Sequence, residues 1–542
     1  METARKTATD RGCFWLTLLA ALVGSVLVLD AARSSSATYD ESAYLRIGCR
    51  WWRTGDQEQI TRMGSPLTFW KLQQAPTLWL LDRLGYRTWI DDPVKNEPRL
   101  LPALRMGALW VWLSALGLTC LWARQLHGSY AMTFSAWLFA LSPNLIAHGA
   151  LVTMEMPIVA ACAAVGLLFS SFLRTGGRSY FVGAAIVTGL ALSLKFTAVL
   201  IPPICSLCWF VRDWQRRESS LMKVFLRLFV GMSLYVTILL VSNLMITGFA
   251  VLPLSETIGE HPTVNGRIRS LSWLVEMPIP RDWVGLATQI RHQRSGGPSY
   301  LLGVTRMNGW WYYYPIALVV KIPPVFWLLV VGRLFEPWRK DSLIVVAILA
   351  FLSVTIVGST RNYGVRYLLP IAPLALVWLP GLMEGARFSK GIAFVGIVGY
   401  AIACVTTQPR ELTYFPQFVG GAEGGRRILA DSNLDWGQGL RDLAKLQKEM
   451  PEFRDLTLYY FGDNDPKVYG VAGTVYVIDA SDRHPRLPTT ISAKTRYVAV
   501  SASLQFGPWG PKGYFESLRR KKPVAHLPDW TIAIYESRSL LP

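Results

Sequence analysis

Long apolar blocks divided by short basic turns fill the chain to about residue 407, and short alternating runs follow. A membrane-crossing helix needs about 20 mostly apolar residues. The pattern predicts a first span over 13–32 and further spans over 104–123, 129–147, 150–173, 179–195, 197–212, 224–250, 311–333, 342–358, 367–386 and 390–407, about eleven in all. A basic start before the first block also fits a cleaved signal peptide, but the many later spans favour an uncleaved anchor. Three stretches do not span. Residues 34–103 are amphipathic, with Trp70, Leu72 and Trp79 among Lys71 and Arg83, as in helices lying in the membrane interface. Residues 251–310 are rich in Gly, Pro and Arg, and 408–542 read as an α/β domain with strands over RRILAD, DLTLYYF, GTVYVIDA, RYVAVSAS and TIAIYES and a helix over GLRDLAKLQKEM. The expected organisation is thus a tail and anchor (1–33), a first outer loop (34–103), a helical bundle (104–407) and a C-terminal domain (408–542).

Charge sets the orientation. With the N-terminus inside, the cytoplasmic segments hold sixteen basic residues, including Arg5, Arg124, Arg212, Arg217, Arg339 and Lys340, whereas the short outer turns hold Lys195, Arg361 and Arg366. An odd number of spans then places the C-terminal domain outside. Composition agrees with a membrane protein: 51% hydrophobic and only 17% charged, against about 25% in soluble domains. The net charge is +19, and about half of it lies outside the cytoplasmic segments, where an anionic lipid would be met. The seven cysteines form no loop-borne set, and Cys205 and Cys208, although spaced C-x-x-C, lie in an apolar run that reads as helix packing.

Candidate chemistry collects at the outer ends of the spans. Asp40 and Glu41 follow the first span in ATYDESAYL, where one carboxylate is suited to act as a general base or a metal ligand. The same residues also read as a capped helix start, with Thr38 or Asp40 as N-cap. Glu155 stands just inside an apolar helix, where an acid either faces a cavity or snorkels to the interface. His148 lies seven residues earlier. Lys195, Arg361, Arg366 and the deeper Lys321 are the cations a lipid-linked phosphate requires, although Arg361 and Arg366 also fit plain interfacial anchoring. Trp310 and Tyr313 in GWWYYYP read as an aromatic belt or as a stacking surface for a sugar or a prenyl chain. Asp431, Asn433 and Asp435 alternate in DSNLDWGQG; they offer oxygen ligands to a hard cation or form a strand-to-helix junction with Asp435 as cap. No P-loop, H-E-x-x-H or G-x-S-x-G occurs, and no nucleic-acid-binding module is recognisable.

The acidic pair in the first outer loop, NLIAHGALVTMEMP, LSLKFTAV, GWWYYYPIALVVKIP, RNYGVRYLLPIAP and ILADSNLDWGQGL together resemble the GT-C membrane glycosyltransferases. The resemblance is to the protein O-mannosyltransferase and aminoarabinose transferase group, glycosyltransferase family 39, in its bacterial branch, and touches residues 38 to about 440. It implies a polytopic α-helical fold of GT-C type and a polyprenyl-phosphate-linked sugar donor used at the outer face of a bacterial inner membrane. Asp40 matches the first acid of the family's D-E pair, the base for the acceptor hydroxyl, and Glu41 matches its partner. Glu155 matches a second acidic position that is typically Asp. The expected reaction transfers the sugar to a hydroxyl of a protein, lipid or glycan, with inversion. Lys195, Arg361, Arg366 and Lys321 are the expected holders of the donor phosphate, and His148, Trp310 and Tyr313 are expected to orient acceptor or sugar. No cofactor is certain, and participation of a divalent metal stays open. A lipid-linked oligosaccharide ligase or polymerase is the alternative enzyme, and a transporter the alternative outside enzymes, although acids clustered in the first third and lopsided outer loops disfavour transport.

Overall fold

The computed structural model describes residues 2–56, 68–216, 220–255, 276–337, 341–385, 387–480, 487 and 495–540. Arg217, Arg339 and Lys340 of the cytoplasmic basic set, and 256–275 of the expected second loop, lie outside the described residues.

Among the described residues six helices are long and apolar enough to cross a membrane: Thr9–Ser34, Glu97–His127, Glu155–Thr175, Phe196–Arg216, Leu221–Ile246 and Val365–Glu384. A seventh arises if Tyr313–Lys321 and Val325–Leu334, bent by 108° at their junction, count as one span. Arg178–Leu192, Ser342–Gly358 and Ser389–Val405 are apolar but shorter. The expected continuous spans are interrupted where the sequence supplies proline. Pro323 and Pro324 break the 311–333 block, because proline offers no N–H and its ring clashes with the preceding turn. The 129–147 block divides into Ser129–Ala140 and Pro143–Gly149, with Pro143 at the first helical position of the second piece. The blocks starting near 197 and 367 open as 3₁₀ turns, Phe196–Leu200 and Val365–Ile371. Within a membrane-spanning bundle, irregular backbone of this kind is tolerated where it is buried in protein or lines a cavity.

The bundle core gathers Trp112, Phe139, Leu329, Val377, Leu379 and Cys404. Close approach in it depends on small residues. A Cβ on Gly24, in the first helix, would run into the Trp112 ring. The segment after the first helix folds onto the bundle as Tyr39–Thr54, Thr68–Arg83, Arg87–Asp91 and Glu97–Gly107, packed around Trp70, Leu78, Leu100 and Leu104.

The C-terminal part carries a five-stranded sheet in the order 474–478, 456–461, 497–501, 532–536, 525–526. Its first three strands are parallel and the rest antiparallel. The strand Leu456–Phe461 is buried along its whole length, as expected of a parallel strand covered on both faces. Helix Leu440–Glu449 covers one face through Leu440, Leu443 and Ala444, and Phe515 and Leu518 cover the other. The strand expected over RRILAD does not form. That stretch leads into a 3₁₀ turn, Asp431–Asn433, and Asp431 sits at φ +60°, a left-handed conformation that ends any ladder.

Candidate active site

Helix Tyr39–Thr54 starts with an arrangement that separates its two acids. Glu41 turns inward, where its Oε2 accepts from the Thr38 amide and hydroxyl, both at 3.0 Å. Arg105 meets the same carboxylate with two bonds, Nε to Oε1 at 2.9 Å and Nη2 to Oε2 at 2.6 Å, and the Val152 amide is a second donor to Oε1. Both side chains of this pair are fully buried. With Thr38 and Glu41 closing the helix end, Asp40 is left to point elsewhere, and a quarter of its side chain remains exposed. The helix start and the reactive acid are therefore both present, on different residues.

Asp40 lines a cavity of about 510 Å³ together with Glu155, Lys195, Arg366, Tyr314 and Tyr367, and with Leu286, Gln289, Ile290 and Gln293 from helix Arg281–Ser295. Its Oδ2 accepts from Arg366 Nη1 at 2.7 Å. The same guanidinium nitrogen is 3.7 Å from Glu155 Oε1, and Lys195 Nζ donates to that oxygen at 3.1 Å. The result is an alternating row: Asp40, Arg366, Glu155, Lys195. Each member comes from a helix end or a break between helices. Glu155 begins its helix, Lys195 sits extended between Arg178–Leu192 and Phe196–Leu200, and Arg366 lies in the first turn of Val365–Ile371. Gly364, two residues before Arg366, has φ +127°, and a Cβ there would strike the Ser432 hydroxyl. Arg366 Nε is buried without a partner among the described residues, so the row retains a free donor.

A second, almost entirely apolar cavity of about 120 Å³ adjoins this one and shares Thr197 and Leu200 with it. Ile158, Phe169, Ile201, Ala347, Phe351 and Leu374 are among its walls.

Other expected site residues lie apart from the polar cavity. Lys321 is fully buried, but its Nζ donates to the carbonyls of Leu412 at 3.0 Å and Asn433 at 2.6 Å and faces the Phe415 ring. Carbonyls rather than an anion satisfy it, so the expected contact with a donor phosphate is revised to a structural one. Arg361 lies outside the cavity lining, and its Nε donates to Gly296 O at 2.9 Å. Trp310 and Tyr313 pack in a core with Tyr314, Leu429 and Leu434, and of these aromatic residues Tyr314 also lines the cavity. His148 is buried, with Nδ1 lacking a partner among the described residues, and senses the Glu155 charge without lining the cavity. Glu41 serves the pair with Arg105 rather than the cavity.

DSNLDWGQG does not fan out as a set of cation ligands. Asp431 accepts from the Ser432 amide, and Asp435 accepts from the Gly437 amide at 3.1 Å and the Ser503 amide at 2.8 Å. Asn433 Oδ1 accepts from the Val365 amide at 3.0 Å. Burial pushes Asp431 up to about 6 and Asp435 up to about 7. Among the described residues no group of three or more His, Cys, Asp or Glu could hold a metal ion.

Tyr367, Gln289, Gln293 and Trp436 escape a reading of the sequence. Tyr367 was signalled only by its place beside Arg366, and the two glutamines by their i, i+4 spacing on a loop helix.

No protein-family model matches the chain, and no curated protein does. Among solved structures the chain is similar to ArnT from Cupriavidus metallidurans bound to undecaprenyl phosphate, with 13% identity and a TM-score of 0.49 over 97% of this chain and 98% of that one. The apo state of the same protein gives 14% identity and a TM-score of 0.47 over 98% and 99%. The oligosaccharyltransferase of Archaeoglobus fulgidus, in complex with zinc and sulfate, gives 12% and 0.41 over 90% of this chain and 68% of that one.

Proposed function

We propose that the chain is a membrane glycosyltransferase that moves a sugar from a polyprenyl-phosphate donor to an acceptor hydroxyl at the outer face of a bacterial inner membrane. The observation that carries this reading is the juxtaposition, in one cavity, of a partly exposed carboxylate, Asp40, with two cations, Arg366 and Lys195. A base and an anion site side by side are what displacement of a lipid phosphate from a sugar requires. The adjoining apolar cavity supplies a surface suited to the first prenyl units.

In this mechanism Asp40 takes the proton of the acceptor hydroxyl as its oxygen attacks the anomeric carbon. The new acceptor–carbon bond forms as the bond from that carbon to the phosphate oxygen breaks. The electron pair leaves on the polyprenyl phosphate, where Arg366 and Lys195 hold the developing negative charge. Single displacement inverts the anomeric configuration. Glu155 balances the two cations and fixes their spacing.

The test supplies membranes containing the chain with a panel of labelled polyprenyl-phosphate sugars. Transfer of label from at least one donor, with release of polyprenyl phosphate and inverted anomeric configuration, is expected. Absence of transfer from every donor overturns the reading, and a retained configuration overturns the mechanism.

A further inference from the structure

We propose that the segment Asn433–Trp436 is a positioning brace that sets the distance between Asp40 and Arg366, so that the C-terminal part of the chain completes the site. The inference rests on the glycosyl-transfer reading for its effect on rate, but not for its structural content.

Three contacts converge. Asn433 Oδ1 accepts from the amide of Val365, the residue immediately before Arg366, at 3.0 Å. Trp436 O accepts from the amide of Tyr39, the residue immediately before Asp40, at 2.7 Å. Between these anchors the Trp436 ring lies under the Arg366 guanidinium, 4.1 Å from its centroid. Four consecutive residues therefore hold the backbone on both sides of the Asp40–Arg366 contact and carry its cation. A guanidinium on an aromatic face is attracted to the ring and kept in one plane. Asp40 and Arg366 are 326 residues apart in the chain, so their alignment must be set by some third element.

The brace is itself held firmly. Lys321 donates to Asn433 O at 2.6 Å, and Asn433 Nδ2 reaches the Tyr313 hydroxyl at 2.9 Å. Asp435 bonds the Ser503 amide at the end of strand Tyr497–Ser501. The deep lysine, the tyrosine run and the D-x-N-x-D-W pattern, which the transfer mechanism leaves unused, thereby acquire one common task. None of them touches the reacting atoms; they act through Asp40 and Arg366.

The experiment uses the purified full-length chain in detergent and has two arms. In the first, hydrogen exchange is followed in peptides containing Tyr39 and Val365. Asn433→Ala is expected to raise exchange at Val365, and at Tyr39 through loosening of the segment; unchanged protection at Val365 overturns the brace whatever the activity. In the second, transfer is measured with the donor that serves the wild type best. Trp436→Leu is expected to lower kcat/KM by about tenfold, Trp436→Phe by less than about twofold, and Trp436→Leu to add less than about twofold in an Arg366→Lys background, because the ring acts through that guanidinium. Independent multiplication of the Trp436 and Arg366 losses, or equal losses from Leu and Phe, overturns the brace. If the wild type transfers from no donor, the functional reading falls, and the exchange arm alone decides the brace.

Discussion

Two acid–arginine pairs begin one residue apart and have opposite characters. Glu41 and Arg105 are sealed from solvent, and five donor groups from Thr38, Arg105 and Val152 surround the carboxylate. Asp40 and Arg366 meet through one guanidinium nitrogen at the wall of an open cavity. The first pair is complete, and nothing is left for a substrate to do there. The second is incomplete: Arg366 keeps a free Nε, and Asp40 is partly exposed. A saturated pair fixes structure, whereas an unsaturated one is available for chemistry.

Breaking each pair separates these roles, and the largest loss of stability belongs to the sealed one. Arg105→Ala leaves a buried carboxylate uncompensated and is expected to cost about 3 to 5 kcal/mol, read as a collapse of the thermal transition in detergent. Arg366→Ala at the cavity is expected to leave that transition nearly in place while lowering transfer by about a hundredfold, with a raised KM for the donor. If Arg366→Ala unfolds the chain as readily as Arg105→Ala, the contrast is wrong.

Glu155→Gln tests the next link in the row. It removes the charge between Arg366 and Lys195 but keeps a hydrogen-bond acceptor, so transfer is expected to fall by about tenfold, less than for loss of Arg366. An increase in activity would show that Glu155 opposes the donor phosphate instead of ordering its cations.

A third acid extends the comparison with the smallest effect. Glu411 is as buried as Glu41, but neither of its carboxylate oxygens bonds another residue among the described ones. Burial pushes its pKa up to about 8. An acid whose folded value is raised binds its proton more tightly in the folded state, so its contribution is full below its ordinary value and is lost as pH rises through about 8. The melting temperature of the wild type is expected to decline from about pH 5 to about pH 8, and Glu411→Gln to flatten that decline. Parallel pH profiles for the two proteins would contradict this.

The same contrast explains what could be read from the sequence. Charged residues at the ends of apolar blocks stand out, because membrane depth makes them costly, and Asp40, Glu155, Lys195 and Arg366 were found that way and share one cavity. Which neighbour faces inward does not show in a list of residues. Successive side chains on a helix are rotated by about 100°, so of Asp40 and Glu41 one reaches the cavity and the other a sealed ion pair, and of Tyr313 and Tyr314, which share a core, only Tyr314 also lines the cavity. Lys321 lies apart from the cavity for a related reason: a buried ammonium needs oxygen, and the backbone at Leu412 and at the 3₁₀ turn ending in Asn433 supplies it. The span pattern was legible in its apolar blocks, but Pro143, Pro323 and Pro324 divide some of those blocks into pieces.

The central claim is that Asp40 is the base beside a phosphate-holding cation. Its most direct test compares Asp40→Asn with wild type in transfer from one polyprenyl-phosphate sugar at saturating donor. The account predicts a fall in kcat of about 10² to 10⁴, with donor KM and thermal stability close to those of wild type. Transfer by Asp40→Asn at the wild-type rate would contradict it.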